Sequence, residues 1–518
     1  MICGATMSRC ARPSNAKARL LSQGASPITH DWPATGCTRC PSMRIAIARA
    51  CARTIASVRA STASSSTRTT TRSCRRRSNT ASPACHGVSR CPARTSRART
   101  LSYLHHQVEP GTSCPLTMTH AAVPALRRQP ALAEWAEKAA APYYDAREVP
   151  IGEKRGVTLG MGMTEKQGGS DVRANTTRAQ PLDGDDYALT GHKWFFSAPM
   201  SDGFLVLAQA PAGLTCFLLP RRLPDRTKNA FTLIRLKDKL GDWSNASSEV
   251  EFQGARATRV GDEGRGIATI LDMVMLTRLD CMLGSAAEMR MALAQAVHHA
   301  RHRMAFGKRL VDQPLMRNVL ADLAIEAEAA LALSMRVARA VDAAPDDPRE
   351  AAFARIATAI GKYWICKRAP AFVNEAQECL GGNGYVEESL LPRLYRQAPL
   401  NSIWEGSGNI QCLDVLRALH REPETGEAFF AELGEGLHPL LDWAVARMRT
   451  MLQAPSEGDA RTLVERMALA LQAAVLLRAG SPAETLFVGT RLGGAHGLAF
   501  GTLPFDEELL ESVLARAL

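Results

Sequence analysis

The sequence predicts an α+β chain with a helical N-terminal domain, a small β-barrel or sandwich in the middle, and a C-terminal helical bundle carrying an extra helical tail. Three observations predict it. Apolar residues recur every 3.6 positions from Ile267 to Ala305, Pro314 to Val341 and Ala351 to Leu380, as three amphipathic helices joined by short loops require. Between Gly156 and Asp262 that period gives way to short β-branched and aromatic runs bounded by Gly, Pro or Asp, which is the pattern of closely spaced strands. Before them, residues 101–155 are rich in strong helix formers, most of all from Ala121 to Ala141, with prolines at the turns.

Residues 1–100 stand outside this scheme. Arg, Ser, Ala, Thr and Cys dominate them, 18 Lys and Arg face the single acid Asp31, and no apolar period of 2 or 3.6 residues is sustained. Three readings fit: a stretch translated out of frame from GC-rich coding DNA, a disordered basic arm, or an Arg- and Ser-rich transit peptide. The length and eight cysteines weigh against the last two. The formal charge of +12 would by itself point to nucleic acid or an anionic membrane, but the other 418 residues carry 45 basic and 50 acidic groups, so the positive charge belongs to this stretch. Six further cysteines, Cys114 to Cys412, are scattered singly, as in the reduced thiols of a cytoplasmic protein. Cys37-Thr-Arg-Cys40 has metal-ligand spacing without a second pair to complete a tetrahedral site, so no metal is expected. No apolar run nears the ~18 residues of a membrane span, so no membrane partner is expected either.

Ordinary patterning resumes near Ala98, and the partial N-terminal helical domain is placed at 101–155. The β domain follows at 156–262, with its clearest strands at Tyr187 to Phe196, Phe204 to Ala208, Thr215 to Leu219 and Glu249 to Phe252. The bundle occupies 263–420, its first two helices parted by a turn at Arg303-Met-Ala-Phe306-Gly307. The tail, 421–518, shows helical pattern at Leu437 to Leu452 and Ala460 to Ala479.

Two segments carry chemistry. Trp404-Glu405-Gly406-Ser407-Gly408-Asn409-Ile410-Gln411 sets one carboxylate beside a glycine-rich turn that can approach a ligand closely. Some 240 residues upstream, Met163-Thr-Glu-Lys-Gln-Gly-Gly-Ser-Asp-Val172 offers backbone N–H groups at its glycines and the hydroxyls of Thr164 and Ser170. Taken alone, Glu405 reads equally as a solvated carboxylate at a helix N-terminus, where the dipole favours it. Together the two segments resemble the catalytic and flavin segments of the acyl-CoA dehydrogenase superfamily, and more closely its AidB branch, the adaptive-response proteins linked to DNA alkylation damage. The resemblance covers about residues 101–420, and the order α, β, α is that of this family.

The resemblance implies an FAD cofactor and oxidation of an acyl-CoA thioester at a CH–CH bond, with a base on the side of the substrate away from the flavin. Glu405 stands at the base's place in the family motif. Some relatives supply the base from a position just before an arginine on another helix; here that position is Thr277, before Arg278, which leaves Glu405 without a rival. Cofactor contacts carry over to Met163, Thr164, Gly169, Ser170 and Asp171, and to Gly406, Ser407 and Asn409 in the catalytic segment. Within Gly191-His-Lys-Trp-Phe-Phe-Ser197, Ser197 matches the hydroxyl that bonds flavin N5, and Phe195 and Phe196 the aromatic stretch beside the ring. Arg303 and Phe306 match residues that reach the adenosine-diphosphate part of a flavin held mainly by another subunit, and Gly381 and Gly382 match that neighbour's glycine-rich loop, which implies a homotetramer. Met275 and Arg278 face the acyl pocket by the same resemblance.

In the AidB branch the C-terminal helical domain is implicated in contact with double-stranded DNA, and nonspecific DNA binding draws on Lys and Arg displacing counterions. Arg447, Arg449, Arg461, Arg466 and Arg478 would serve if they share a face, in a tail from Arg421 onward with eight Arg, no Lys and 14 acids. Two functions follow as expectations. One is an adaptive-response protein that dehydrogenates short branched acyl-CoA weakly and protects DNA; the other is an ordinary short- or branched-chain acyl-CoA dehydrogenase without DNA binding.

Overall fold

The computed structural model describes residues 94–517, so the expectations on residues 1–93, Cys37 and Cys40 among them, lie outside the described residues. Helix α1, Arg94–Val108, crosses the boundary placed at 101. The reason is a side chain: Arg99 is buried and pairs with Asp280, so the helix is anchored before Leu101. Helices α2, Ser113–Leu126, and α3, Ala133–Ala140, are parted by a short turn that starts at Pro130. Their buried faces, with Met118, Leu126 and Trp135, cover the outside of the β domain at Leu159, Leu205 and Leu218.

Seven strands form the β domain: β1 Leu159–Gly162, β2 Arg178–Pro181, β3 Asp186–Ser197, β4 Gly203–Ala210, β5 Gly213–Pro220, β6 Phe231–Leu236 and β7 Ser247–Val260. Pairings β4-β2-β3-β7-β5 return to β4, which closes a barrel, with β1 added on β4 and β6 on β7. Antiparallel pairing dominates, but β1 and β2 run parallel to β4. The barrel is filled by aromatic rings, Phe196, Phe204, Phe217, Phe231 and Phe252, because alternate residues of each strand turn inward.

The bundle is built on α4, Gly266–His302, α5, Pro314–Ala343, and α6, Pro348–Glu378. Alanines dominate their contacts, so the backbones approach closely. Asp347 caps α6 by accepting from the Arg349 and Glu350 amides, with Pro348 at the first helical position. Then come α7, Leu391–Gln397, and α8, Gly408–Arg421. The tail adds α9, Pro423–Leu433, α10, Pro439–Gln453, α11, Ala460–Ala479, and α12, Glu507–Leu514. It is tied to α5 by charge: Arg491 pairs with the buried carboxylates of Asp322 and Glu326. No described helix is long and apolar enough to cross a membrane.

Candidate active site

Glu405 sits in the five-residue link between a short turn, Leu400–Ser402, and α8. Its φ is +55°, in the left-handed region, which costs a residue with a side chain roughly 1–2 kcal/mol. Gly406 follows at φ +93°, and a Cβ there would meet Gln411 Nε2 at 2.6 Å, so glycine is required. What opposes the strain is capture of the link's carbonyls. Lys362 Nζ, on α6, donates to Trp404 O at 2.8 Å and to Gly406 O. Arg278 Nε, on α4, donates to Glu405 O at 3.1 Å, and Gln411 Nε2 donates to Glu405 O and Gly406 O at 3.0 and 3.1 Å. All three donors are buried.

The Glu405 carboxylate is partly buried and accepts from the Thr277 hydroxyl at 2.7 Å. Burial pushes its carboxyl above the ordinary value of 4.5, opposed by the Thr277 hydrogen bond and by the charges of Arg278 and Lys362. A carboxyl raised in this way is, once ionised, a stronger proton acceptor than a free carboxylate, as a base requires.

The second segment leaves β1 at Gly162 and meets the end of β3. Trp194 N donates to Thr164 O at 2.9 Å, and Thr164 bridges Phe195. There the β3–β7 register slips between Lys193 and Phe196, so Trp194 and Phe195 leave the ladder, as residues at bulges beside binding sites do. Phe195 is 48% exposed; Phe196 is 0% exposed and lies 4.4 Å from Phe204 in the barrel core. The expected cofactor contact at Phe196 is therefore corrected: neighbouring strand residues point to opposite faces, and Phe196 takes the inner one.

Glu165 fastens this segment. Its fully buried carboxylate accepts from Lys193 Nζ at 2.8 Å, from the Thr176 and Thr177 amides and hydroxyls at 2.6–3.1 Å, and from Gln167 Nε2 at 2.9 Å. Burial alone would push the carboxyl up, yet Lys193 and these donors hold it well below the usual range. The segment's outer part, Gly169, Ser170 and Asp171, is exposed, and a Cβ on Gly169 would meet Thr164 Oγ1 at 2.4 Å. Cys114, from α2, joins the two segments: its buried thiol lies beside Ser197 and Asn245 and feels the Glu405 charge, while Met163 and Trp404 pack against the same apolar cluster.

These residues fit an isoalloxazine. A half-exposed ring, hydroxyls at Thr164 and Ser197, a glycine with no room for a side chain, and the buried Oδ1 of Asn245, unpartnered among the described residues, offer a flat face and a polar edge.

The remaining candidates divide. Arg278 is buried, and its guanidinium bonds Asp414 at 2.7 Å besides the Glu405 carbonyl, so it braces the loop instead of turning its charge into an acyl pocket; Met275 is partly buried one turn away. Ser407 opens α8, and Asn409 Oδ1 accepts from Arg461 Nε at 2.8 Å. Phe306 is 99% exposed at φ +51° on the hairpin after α4, with exposed Arg303 beside it. That end of α4 is 25 residues past Arg278, roughly 38 Å at 1.5 Å per residue, so Arg303 and Phe306 do not join Glu405 within one chain. Gly381, at φ +58°, and Gly382 border open space beyond the end of α6.

The five tail arginines do not make one stripe. Arg447 and Arg449 stack on Trp443 and Phe430, Arg461 is given to Asn409, Arg466 lies against Met451, and Arg478 pairs with Glu432 at 3.2 Å. Sequence reasoning left Lys362, Lys193 and Glu165 without roles; the signal available for the first two was a lone lysine inside an apolar stretch.

A closed barrel covered by N-terminal helices and followed by a bundle of long helices is the architecture of the acyl-CoA dehydrogenases. Family models match in the same order: the adaptive response protein AidB N-terminal domain at residues 51–146, the acyl-CoA dehydrogenase middle domain at 160–255 and its C-terminal domain at 264–420. The first match reaches back across the boundary expected at 101. AidB of Escherichia coli (strain K12) is 51% identical over 385 residues, 73% of this chain and 71% of the relative. Acyl-CoA dehydrogenase family member 11 of Caenorhabditis elegans is 37% identical over 274 residues, 50% of this chain and 44% of that protein. Among solved structures, Caenorhabditis elegans ACDH-11 in complex with C11-CoA superposes with a TM-score of 0.68 at 25% identity, covering 81% of each chain. The chain belongs to the AidB branch of the acyl-CoA dehydrogenase superfamily, a family of FAD-dependent oxidoreductases acting on CH–CH groups.

Proposed function

We propose that the chain binds FAD and dehydrogenates a short branched acyl-CoA thioester, with Glu405 as the base. The observation that carries this reading is the 2.7 Å contact between Glu405 and Thr277: the two positions from which family members supply the base meet at one point, and only one of them holds a carboxylate. Glu405 takes the proton from the carbon α to the thioester carbonyl. FAD, when bound, supplies the acceptor for the hydride that leaves the β carbon. Phe195, Thr164 and Ser197 would hold the ring, Glu165 and Lys193 keep their segment in place, and Cys114, Met163 and Trp404 keep water from the reacting carbons.

The distance between Glu405 and the Arg303–Phe306 hairpin supports a homotetramer in which one subunit's hairpin completes another's flavin site. Work within a response to DNA alkylation is supported by the AidB N-terminal match and the 51% identity. Contact with duplex DNA through the five tail arginines is not part of the proposal, because their side chains are stacked or bonded within the chain. The acidic tail favours a second reading, an ordinary short- or branched-chain dehydrogenase without DNA binding.

One spectrum tests the chemistry. Purified protein should carry a yellow flavin that isovaleryl-CoA bleaches anaerobically. Bound flavin that stays oxidised with isovaleryl-, isobutyryl- and butyryl-CoA would remove the dehydrogenase reading.

A further inference from the structure

Lys362 is 1% exposed, lies in the middle of α6, and has no carboxylate among the described residues within ion-pair distance. A buried ammonium without a counter-ion is costly, and it persists only where its charge is used. Its bonds go to two backbone carbonyls, Trp404 O and Gly406 O, one on each side of Glu405. Carbonyl capture alone needs no charge: Gln411, equally buried, does the same for the same link with a neutral amide.

The other groups facing Glu405 are placed differently. Arg278 also favours the ionised carboxylate, but its guanidinium is paired with Asp414, shared with Arg355, whereas Lys362 has no such counter-ion among the described residues. Thr277 is neutral, and the thiols of Cys114 and Cys281 are pushed up by burial and stay protonated. Asp242 lies beyond Cys114, held by Lys239, Asn245 and Gln397. Around Lys362 itself the titratable groups are the thiols of Cys281 and Cys366 and the Glu405 carboxyl.

We propose that Lys362 is the positioning residue of the base: it pins Glu405 in the left-handed conformation by its two flanking carbonyls and directs an otherwise unpaired positive charge at the Glu405 carboxylate. This rests on Glu405 being the base. The α-proton passes to a Glu405 oxygen, and its carboxylate must be ionised beforehand. With the cation removed, ionisation is harder, so the rate must rise with pH through a higher midpoint.

The test uses the full-length flavoprotein with Lys362→Met, Lys362→Gln and Lys362→Arg, measuring the rate of flavin bleaching by isovaleryl-CoA from pH 5.5 to pH 9.5. Met and Gln are expected to shift the midpoint alkaline by about one unit and to lower the rate about tenfold at pH values below the wild-type midpoint, with recovery at high pH, while Arg keeps the wild-type midpoint. A role in packing alone would lower the rate at every pH without moving the midpoint. Gln retains one carbonyl bond, so it carries the charge test if the Met variant does not fold. A crystal structure of the Gln variant supplies the readout that needs no turnover: Glu405 should leave φ near +55°. An unmoved midpoint in both neutral variants, or an unmoved Glu405 backbone, overturns the proposal. If wild-type flavin is not bleached by any acyl-CoA, the dehydrogenase reading is what failed, and the Glu405 backbone then decides for or against Lys362.

Discussion

Glu405 combines a strained backbone, a raised carboxyl and a single hydroxyl partner, and each has a measurable consequence. Glu405→Gln keeps the shape of the side chain and removes the proton acceptor, so flavin should remain bound while its reduction by acyl-CoA falls by about 10²–10⁴-fold in stopped-flow traces. The same variant should be the more stable protein at neutral and alkaline pH. A carboxyl raised in the folded state contributes stability that is complete below its unfolded value near 4.5 and lost as pH rises through the folded value. Glutamine has no such loss, and thermal melts from pH 4 to pH 9 will show the two curves separating as pH rises. Equal melts across that range would mean that the carboxyl is not raised. The motif made Glu405 legible in the sequence. Its left-handed φ was not, because that conformation is imposed by Lys362, Arg278 and Gln411 from three different helices.

Among the elements, the segment from Met163 to Asp171 is held chiefly by one buried ion pair, Glu165 with Lys193. Glu165→Gln leaves Lys193 buried and uncompensated, a change of roughly 3–5 kcal/mol, whereas Glu165→Gln with Lys193→Met removes both charges and should recover most of it in urea titrations. Flavin affinity should follow the same order, weakest in the single variant. Because the Glu165 carboxyl is held below 4.5, its stability contribution is present above that value and lost as pH falls, so the double variant should resist acid better than the wild type. A single variant as stable as the double would show that the pair does not govern the segment. The nonapeptide could be read as a ligand loop from its glycines, but its clamp could not, since Lys193 reaches it from β3 across the barrel wall. The same limit explains Phe196: two adjacent phenylalanines look alike in a motif, and only the bulge after Lys193 decides which ring faces out.

For the whole molecule, the hairpin at Arg303–Phe306 lies at the far end of α4 from Arg278, and in the proposed homotetramer it would complete a neighbouring subunit's flavin site. Phe306→Ala with Arg303→Ala should lower flavin occupancy at least tenfold in absorbance ratios while each subunit stays folded by circular dichroism; full occupancy would confine the site to one subunit. Replacing all five tail arginines by alanine should leave the salt dependence of any duplex DNA binding unchanged, whereas five phosphate contacts would lower the slope of log K against log salt by about 4–5. By itself the sequence determined the order of helical, β and helical domains, the long bundle helices and the family, and it singled out Glu405 as the proposed base, because periodicity and contiguous motifs are local properties of the chain. Only the tertiary structure decided that Thr277 meets Glu405, that Arg278 braces the loop, that Lys362 lies beneath it, that Phe196 is core and that the tail arginines scatter. Those facts depend on which residues, separated by up to 136 positions, come within 3 Å of one another, and packing sets that distance.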